Sequence, residues 1–156
     1  VAHAIEDMPT HHIPIVHYCR GHYFSYHGKS PFQQLIYPIP SAHGLGIHAS
    51  LDIAGQLKFG PDTEYIDDID YEINPSLKAK FVNAITKYFP ELDTTRLKPD
   101  YAGIRPKLQA VNEDFKDFDI QGKKKHGVAG LINLFGIDSP GLTSSLAIAE
   151  YVDNLM

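Results

Sequence analysis

An arginine, a histidine and a glycine-rich turn are the features of this chain whose residue types and spacing suit chemistry. Arg105 stands in the stretch Gly103-Ile104-Arg105-Pro106. The proline stiffens the backbone beside it, and the planar guanidinium offers two parallel donors that match a carboxylate. A structural salt bridge to one of the 19 acidic residues explains the same arginine equally well. His48, in Gly46-Ile47-His48-Ala49-Ser50, projects from a glycine-flanked strand, and an imidazole exchanges protons near neutral pH. Alone, a histidine so placed serves packing more often than catalysis. The third feature spans residues 130–152. Leu131 to Phe135 has the length of a buried strand, Gly136 breaks it, Ser139 can cap a helix and Pro140 suits its first position. Apolar residues at 142, 146, 149 and 152 then continue a helical face. Such a turn aims free N–H groups and a positive dipole end at whatever lies beside Gly136–Thr143. Gly141 and the small side chains at 139 and 143–145 leave room for a flat ligand. A helix docked on a strand with no ligand has the same pattern.

Two other patterns carry less. Gly44, Gly46 and Ala49 spell G-x-G-x-x-A, but that fingerprint has to open a helix, and an alternating strand ending near Gly55 follows it. It is rejected as a phosphate loop. Among nine histidines, His11, His12, His17 and His22 cluster with the lone Cys19, but His22 lies beyond an expected bulge and no C-x-x-C pair exists. No metal site is expected.

The elements that must position these residues follow from the chain in order. Residues 1–8 read as the end of a helix whose beginning lies upstream. Residues 15–27 are rich in aromatic and β-branched types and predict a strand bulged at Gly21. A short strand is expected at 35–40, limited by its prolines, and a hairpin turning at Ala54–Gly55. Asn74 and Pro75 open a helix with Leu77, Phe81, Ala84, Ile85 and Tyr88 on one face, and Pro90 lies just beyond it. Extended segments follow at 97–108 and 117–122. Strands joined by long loops, with only two long helices, predict an α+β fold built on a mostly antiparallel sheet with a helix on it.

Composition narrows the function. Fourteen basic against 19 acidic residues give a net charge of −5, which argues against nucleic acid as a partner. Lys123–Lys125 reads as a solvated turn. One cysteine excludes an internal disulfide and suits a reducing, cytoplasmic compartment. No transmembrane run and no signal-peptide pattern are seen.

Three segments together resemble a known family: 35–62 (LIYPIPSAHGLGIHASLDIAGQLKFGPD), 100–108 (DYAGIRPKL) and 130–152 (GLINLFGIDSPGLTSSLAIAEYV). They occur in the same order in FAD-dependent oxidoreductases of the D-amino-acid-oxidase superfamily, and look most like its 2-hydroxyglutarate dehydrogenase and oxidase branch. The resemblance covers about Ile13 to Val152 and corresponds to the C-terminal part of such enzymes. Their N-terminal Rossmann strand and G-x-G-x-x-G have no counterpart in these residues. The resemblance therefore implies residues 13–108 as a substrate-binding domain, and 1–12 with 109–156 as pieces of an FAD-binding domain holding its last strand and helix.

The resemblance also implies roles. Arg105 would bind the substrate carboxylate, and His48 would orient or deprotonate the substrate hydroxyl. Tyr23 and Tyr37 would form pocket wall. Gly136, Ile137, Asp138, Ser139, Gly141, Leu142 and Thr143 would line the pyrimidine edge of the flavin. In the complete enzyme a 2-hydroxy acid would give hydride to FAD, whereas this chain alone is expected to bind FAD weakly and to be inactive. Two alternatives stay open: an amino-acid or amine oxidase on the same scaffold, and a flavin-free carboxylate-binding module. The expected partners are the small acid and the absent N-terminal FAD-binding region. A homo-oligomer and peripheral membrane association through the electron acceptor are both compatible with the sequence.

Overall fold

Residues 1–39 and 46–156 are described by a computed structural model. Pro40, the end of the expected 35–40 strand, and Gly44 of the rejected fingerprint lie outside the described residues. The described chain is an α+β mixture of antiparallel sheets and few helices. It divides into two compact units, one of residues 19–104 and the other of residues 1–18 with 105–156.

The 19–104 unit is built on five strands: β1 (His17–Tyr26), β2 (His48–Leu51), β3 (Leu57–Gly60), β4 (Glu64–Ile66) and β5 (Leu97–Lys107). Their order is β2-β3-β1-β4, with β5 also pairing with β1. β1 runs unbroken, and its buried positions change phase beside Gly21, where the sequence suggests a bulge. β2 and β3 form the expected hairpin, with Gly55 in the left-handed region at its turn. In the segment expected as a strand at 35–40, the described residues make one bridge, Ile36 to Ala49. Pro38 has no N–H with which to extend the ladder.

Helix α1 (Lys78–Ile85) follows a single 3-10 turn at Pro75–Leu77, and the Asn74 side chain caps that turn by accepting from the Ser76 N–H at 3.0 Å. Phe81 and Ile85, on the face read from the sequence, are fully buried. Phe81 packs on Phe24 of β1 with ring centroids 4.4 Å apart. Leu57, Phe59, Ala49 and Leu97 complete the same core. Each large side chain so buried contributes roughly 1.5–3 kcal/mol.

Among its described residues, this unit buries a charged group. Asp62 accepts from the His22 N–H and from His22 Nδ1, each at 2.8 Å, and from Lys80 Nζ at 2.6 Å. Nothing local in the sequence announces this link across 40 residues.

The other unit holds β6 (Asp119–Gln121) and β7 (Asn133–Phe135), an antiparallel pair, with α2 (Lys123–His126) and α3 (Ser145–Asp153). Gln121 is buried and donates to the His12 carbonyl at 2.8 Å, which ties β6 to the N-terminal segment. Two expectations are corrected here. Residues 1–8 hold one 3-10 turn at Ala2–Ala4 rather than a helix end, because the chain turns extended at Ile5, takes a positive φ at Asp7 and meets Pro9. α3 begins at Ser145, not near Pro140. The Thr143 and Ser144 hydroxyls donate to the Pro140 carbonyl, at 3.0 and 2.7 Å, while the Ser145 N–H donates to Leu142 three residues back, at 3.3 Å, so residues 140–144 are turns before the helix starts. No residue of α3 is buried, and Leu142 and Leu146 are about nine-tenths exposed (89% and 85%).

The Asp62 link sets an acid dependence. Burial alone raises the carboxyl pKa, but Lys80 and His22 outweigh it and hold it below the ordinary 3.8. A depressed folded value stabilises at pH above the unfolded one, and that stability is lost as pH falls through the folded value. Asp62→Asn should therefore lower unfolding stability by about 3 kcal/mol at neutral pH. In urea titrations across pH, the gap to the parent should close below the ordinary carboxylate range. A gap that stays constant with pH shows that Asp62 is not held ionised by these partners.

Candidate functional site

In the 19–104 unit, strand register lines up the residues that the sequence marked. β2 and β3 pair His48 with Gly60. β1 and β3 pair Phe24 with Phe59, so Tyr23 comes next in line, opposite Gly60. A Cβ on Gly60 would lie 2.8 Å from Tyr23 Cδ1 and 2.5 Å from the His22 carbonyl oxygen. On the far side, the bridge between Ile36 and Ala49 makes Tyr37 and His48 the next opposed pair, and their rings stack 4.5 Å apart at 21°. Tyr23 in turn stacks on Tyr101 of β5, 4.5 Å apart at 11°. The outer face of the sheet thus carries a row: Tyr37, His48, Gly60, Tyr23, Tyr101. Three of these were singled out from the sequence. Tyr101 and Gly60 were missed, and only non-local pairing identifies them.

The row has one basic end. Lys58 Nζ lies 5.0 Å from the centroid of the Tyr101 ring and pairs with Asp100 at 3.0 Å. His48 is flanked by fixed backbone. Tyr88 donates its hydroxyl to the Ile47 carbonyl at 3.0 Å, and Ala49 exchanges two hydrogen bonds with Ile36 at 2.9 and 3.0 Å. His48 Nδ1 is buried. Burial pushes the imidazole pKa below its ordinary 6.5, with the Gly46 backbone acting the other way. At neutral pH the ring is therefore uncharged and able to accept a proton. Behind the row, Gly46 leads into strand β2 rather than a helix, as its rejection as a phosphate loop requires. Among the described residues, no group of three or more His, Cys, Asp or Glu side chains is placed to hold a metal ion.

In the other unit, Arg105 is half-buried on the last turn of the β5 ladder. Two residues on, Lys107 forms an ion pair with Asp138 at 2.6 Å, with side chains only 18% and 6% exposed. Leu108 closes on Gly136 so tightly that a Cβ there would lie 2.6 Å from Leu108 Cγ. Gly136 has φ +67, which a side chain disfavours as well. Gly141 is equally hemmed in, its added Cβ meeting the Asp138 carbonyl oxygen and Ile137 Cγ2, each at 2.6 Å. The turn is thus fastened to the end of β5 by a buried ion pair and an apolar contact. Ser139, Leu142 and Thr143 face outward from it, while Asp138 has turned its carboxylate to Lys107. Because α3 begins at Ser145, the positive end of its dipole lies beyond this rim rather than under Ser139. Lys107 was not marked by the sequence, and no local pattern connects it with Asp138.

Comparison with known proteins gives these features a context. The chain is 48% identical to the mitochondrial L-2-hydroxyglutarate dehydrogenase of Arabidopsis thaliana, over 99% of this chain and 34% of that protein. It is 29% identical to the glycerol 3-phosphate oxidase of Mycoplasma genitalium, over 78% of this chain and 31% of that protein. The chain thus spans about a third of the length of these curated relatives. Among solved structures, the dithionite-reduced L-alpha-glycerophosphate oxidase of Mycoplasma pneumoniae with FAD bound has a similar fold, with a TM-score of 0.70 at 24% identity. That similarity covers 90% of this chain and 36% of the other. The profile of FAD-dependent oxidoreductases matches residues 2–155, and with nearly every residue inside that match the chain belongs to the D-amino-acid-oxidase family of FAD-dependent oxidoreductases.

Proposed function

We propose that this chain is the substrate-binding portion of an FAD-dependent oxidoreductase that oxidises a 2-hydroxy acid. In this reading residues 13–108 form the substrate domain, and 1–12 with 109–156 belong to the flavin domain. The observation that carries it is His48, a half-buried imidazole held neutral against the stacked ring of Tyr37.

Arg105 holds the substrate carboxylate through its two parallel N–H donors. His48 takes the hydroxyl proton on the imidazole nitrogen that carries the lone pair as the α-carbon gives up hydride. Tyr23 and Tyr37 wall the substrate side, and Tyr101 extends that wall behind Tyr23. When bound, FAD supplies the acceptor for the hydride. The turn Gly136, Ile137, Asp138, Ser139, Gly141, Leu142 and Thr143 fits the edge of a flat ring. Its glycines leave no projecting side chain, its rim faces outward, and the Lys107–Asp138 pair fixes its shape.

A hydroxyl suits this site better than an amine. An amino acid arrives as an ammonium ion, which a carboxylate near the base would help to hold. Burial and the Gly46 backbone account for the His48 shift, and no acidic side chain contributes to it. The names of the relatives agree, since 2-hydroxyglutarate and glycerol 3-phosphate are both alcohols carrying an anionic group. The cytoplasm remains our reading of the compartment. No helix among the described residues is long and apolar enough to cross a membrane.

Four outcomes test this reading. Incubated with FAD and desalted, the chain should retain little flavin absorbance, because the turn touches only the ring edge. Stoichiometric yellow protein sinks that expectation. In the FAD-loaded complete protein, Arg105→Ala should cost about 2–5 kcal/mol in kcat/KM with 2-hydroxy acids, and Arg105→Lys should chiefly raise KM. A fall in melting temperature with unchanged activity per folded molecule makes Arg105 structural. The acid limb of kcat/KM should lie below pH 6.5, the ordinary imidazole value, because the base form persists to lower pH. In the FAD-loaded complete protein, Lys107→Met, which strands the Asp138 carboxylate, should lower stability by about 3–5 kcal/mol and speed flavin release, checked by melting and by flavin fluorescence.

A further inference from the structure

We propose that Tyr37 is a positioning residue that fixes the plane in which His48 meets its substrate. The proposal rests on the reading of His48 as the base, and it comes from strand geometry. In an antiparallel pair, positions that exchange two hydrogen bonds alternate with positions that exchange none, and side chains approach closest at the latter. Ile36 and Ala49 exchange both bonds, at 3.0 and 2.9 Å. Tyr37 and His48 are therefore the adjacent close pair, and the ring contact of 4.5 Å and 21° is what that geometry delivers.

The rest of the surroundings make this contact decisive for His48. Its opposite neighbour on β3 is Gly60, which has no side chain to lean on the imidazole. The backbone on either side is fixed, through the Tyr88 bond to Ile47 and the Ile36 bonds to Ala49. What remains free is rotation of the ring about its own side-chain bonds, and Tyr37 restricts it by covering one face. Tyr37 is itself 54% exposed and outside the buried core, so the contact adds little to folding. Among the described residues, the titratable groups on elements packed against His48 are Tyr37 on the bridged segment, Lys58 on β3 and Tyr88 behind Ile47. No charged side chain contributes to the shift of the imidazole. Stacking burial is thus a direct part of what keeps the ring neutral.

The test compares Tyr37→Ala, Tyr37→Leu and Tyr37→Phe. In this chain, the ring protons of His48 are followed by NMR through a pH titration, with melting curves to confirm that each variant is folded. Tyr37→Ala and Tyr37→Leu should remove the ring-current shift of His48, and Tyr37→Ala, which also uncovers the imidazole, should raise its titration midpoint toward 6.5. Tyr37→Phe keeps the ring and should restore both. In the FAD-loaded complete protein, Tyr37→Ala should lower kcat by roughly 10- to 100-fold, move the acid limb to higher pH and leave melting nearly unchanged. Tyr37→Phe should recover most of that loss. A His48 titration and ring shift unmoved by Tyr37→Ala overturn the role of Tyr37. If they move while the acid limb of the enzyme stays in place, the role of His48 as base is overturned instead.

Discussion

At Gly60, strand β3 passes so close to β1 that a side chain has no room: an added Cβ would fall 2.5 Å from the His22 carbonyl oxygen. Much of the outer face of this sheet depends on that approach. It lets Tyr23 lie over the glycine and reach Tyr101, and it leaves His48, paired with Gly60, without a neighbour on that side. Gly60 also has φ +142, which L side chains rarely adopt, so conformation and space select the same residue. The opposite face of the same strands carries Phe24, Ala49, Leu57 and Phe59 in the core. Register is therefore doubly fixed, since a slip of one residue would bury His48 and expose Phe59.

The other unit solves a different problem. A turn that is to present its backbone cannot rely on its own side chains for anchoring. Here the anchoring comes from the end of β5. Lys107 neutralises Asp138 beneath the rim, and Leu108 fills the space that a side chain on Gly136 would need. An ion pair this enclosed gains little net stability over an apolar pair, but losing one partner is costly. Its value is geometric: it ties residues 136–141 to the strand that bears Arg105.

What the sequence revealed was what local physics decides. The α1 start follows from the Asn74 cap and Pro75, both within one turn, and the β2–β3 hairpin from Gly55. The start of α3 did not follow, although Ser139 and Pro140 look like a cap and a first turn. The Ser145 N–H donates to the Leu142 carbonyl three residues back, so the α-helical ladder does not begin before Ser145, and propensity alone does not weigh that choice. His48, Tyr23 and Tyr37 were reached through resemblance, but the stacking that relates them rests on one bridge and two registers that no local pattern encodes. Lys107 and Tyr101 were invisible for the same reason.

The electrostatics of the row bear on why a histidine and not a carboxylate stands at its centre. A carboxylate buried at position 48 would need donors to remain ionised, and the surroundings that the chain supplies there are aromatic rings and backbone. Without donors it would protonate and lose its use as a base near neutral pH. An imidazole responds to the same burial in the opposite sense. Desolvation removes its proton and leaves the neutral, accepting form. Partial burial against aromatic rings thus disables one kind of base and enables the other. The stacked tyrosines of this sheet and the histidine between them are one chemical choice.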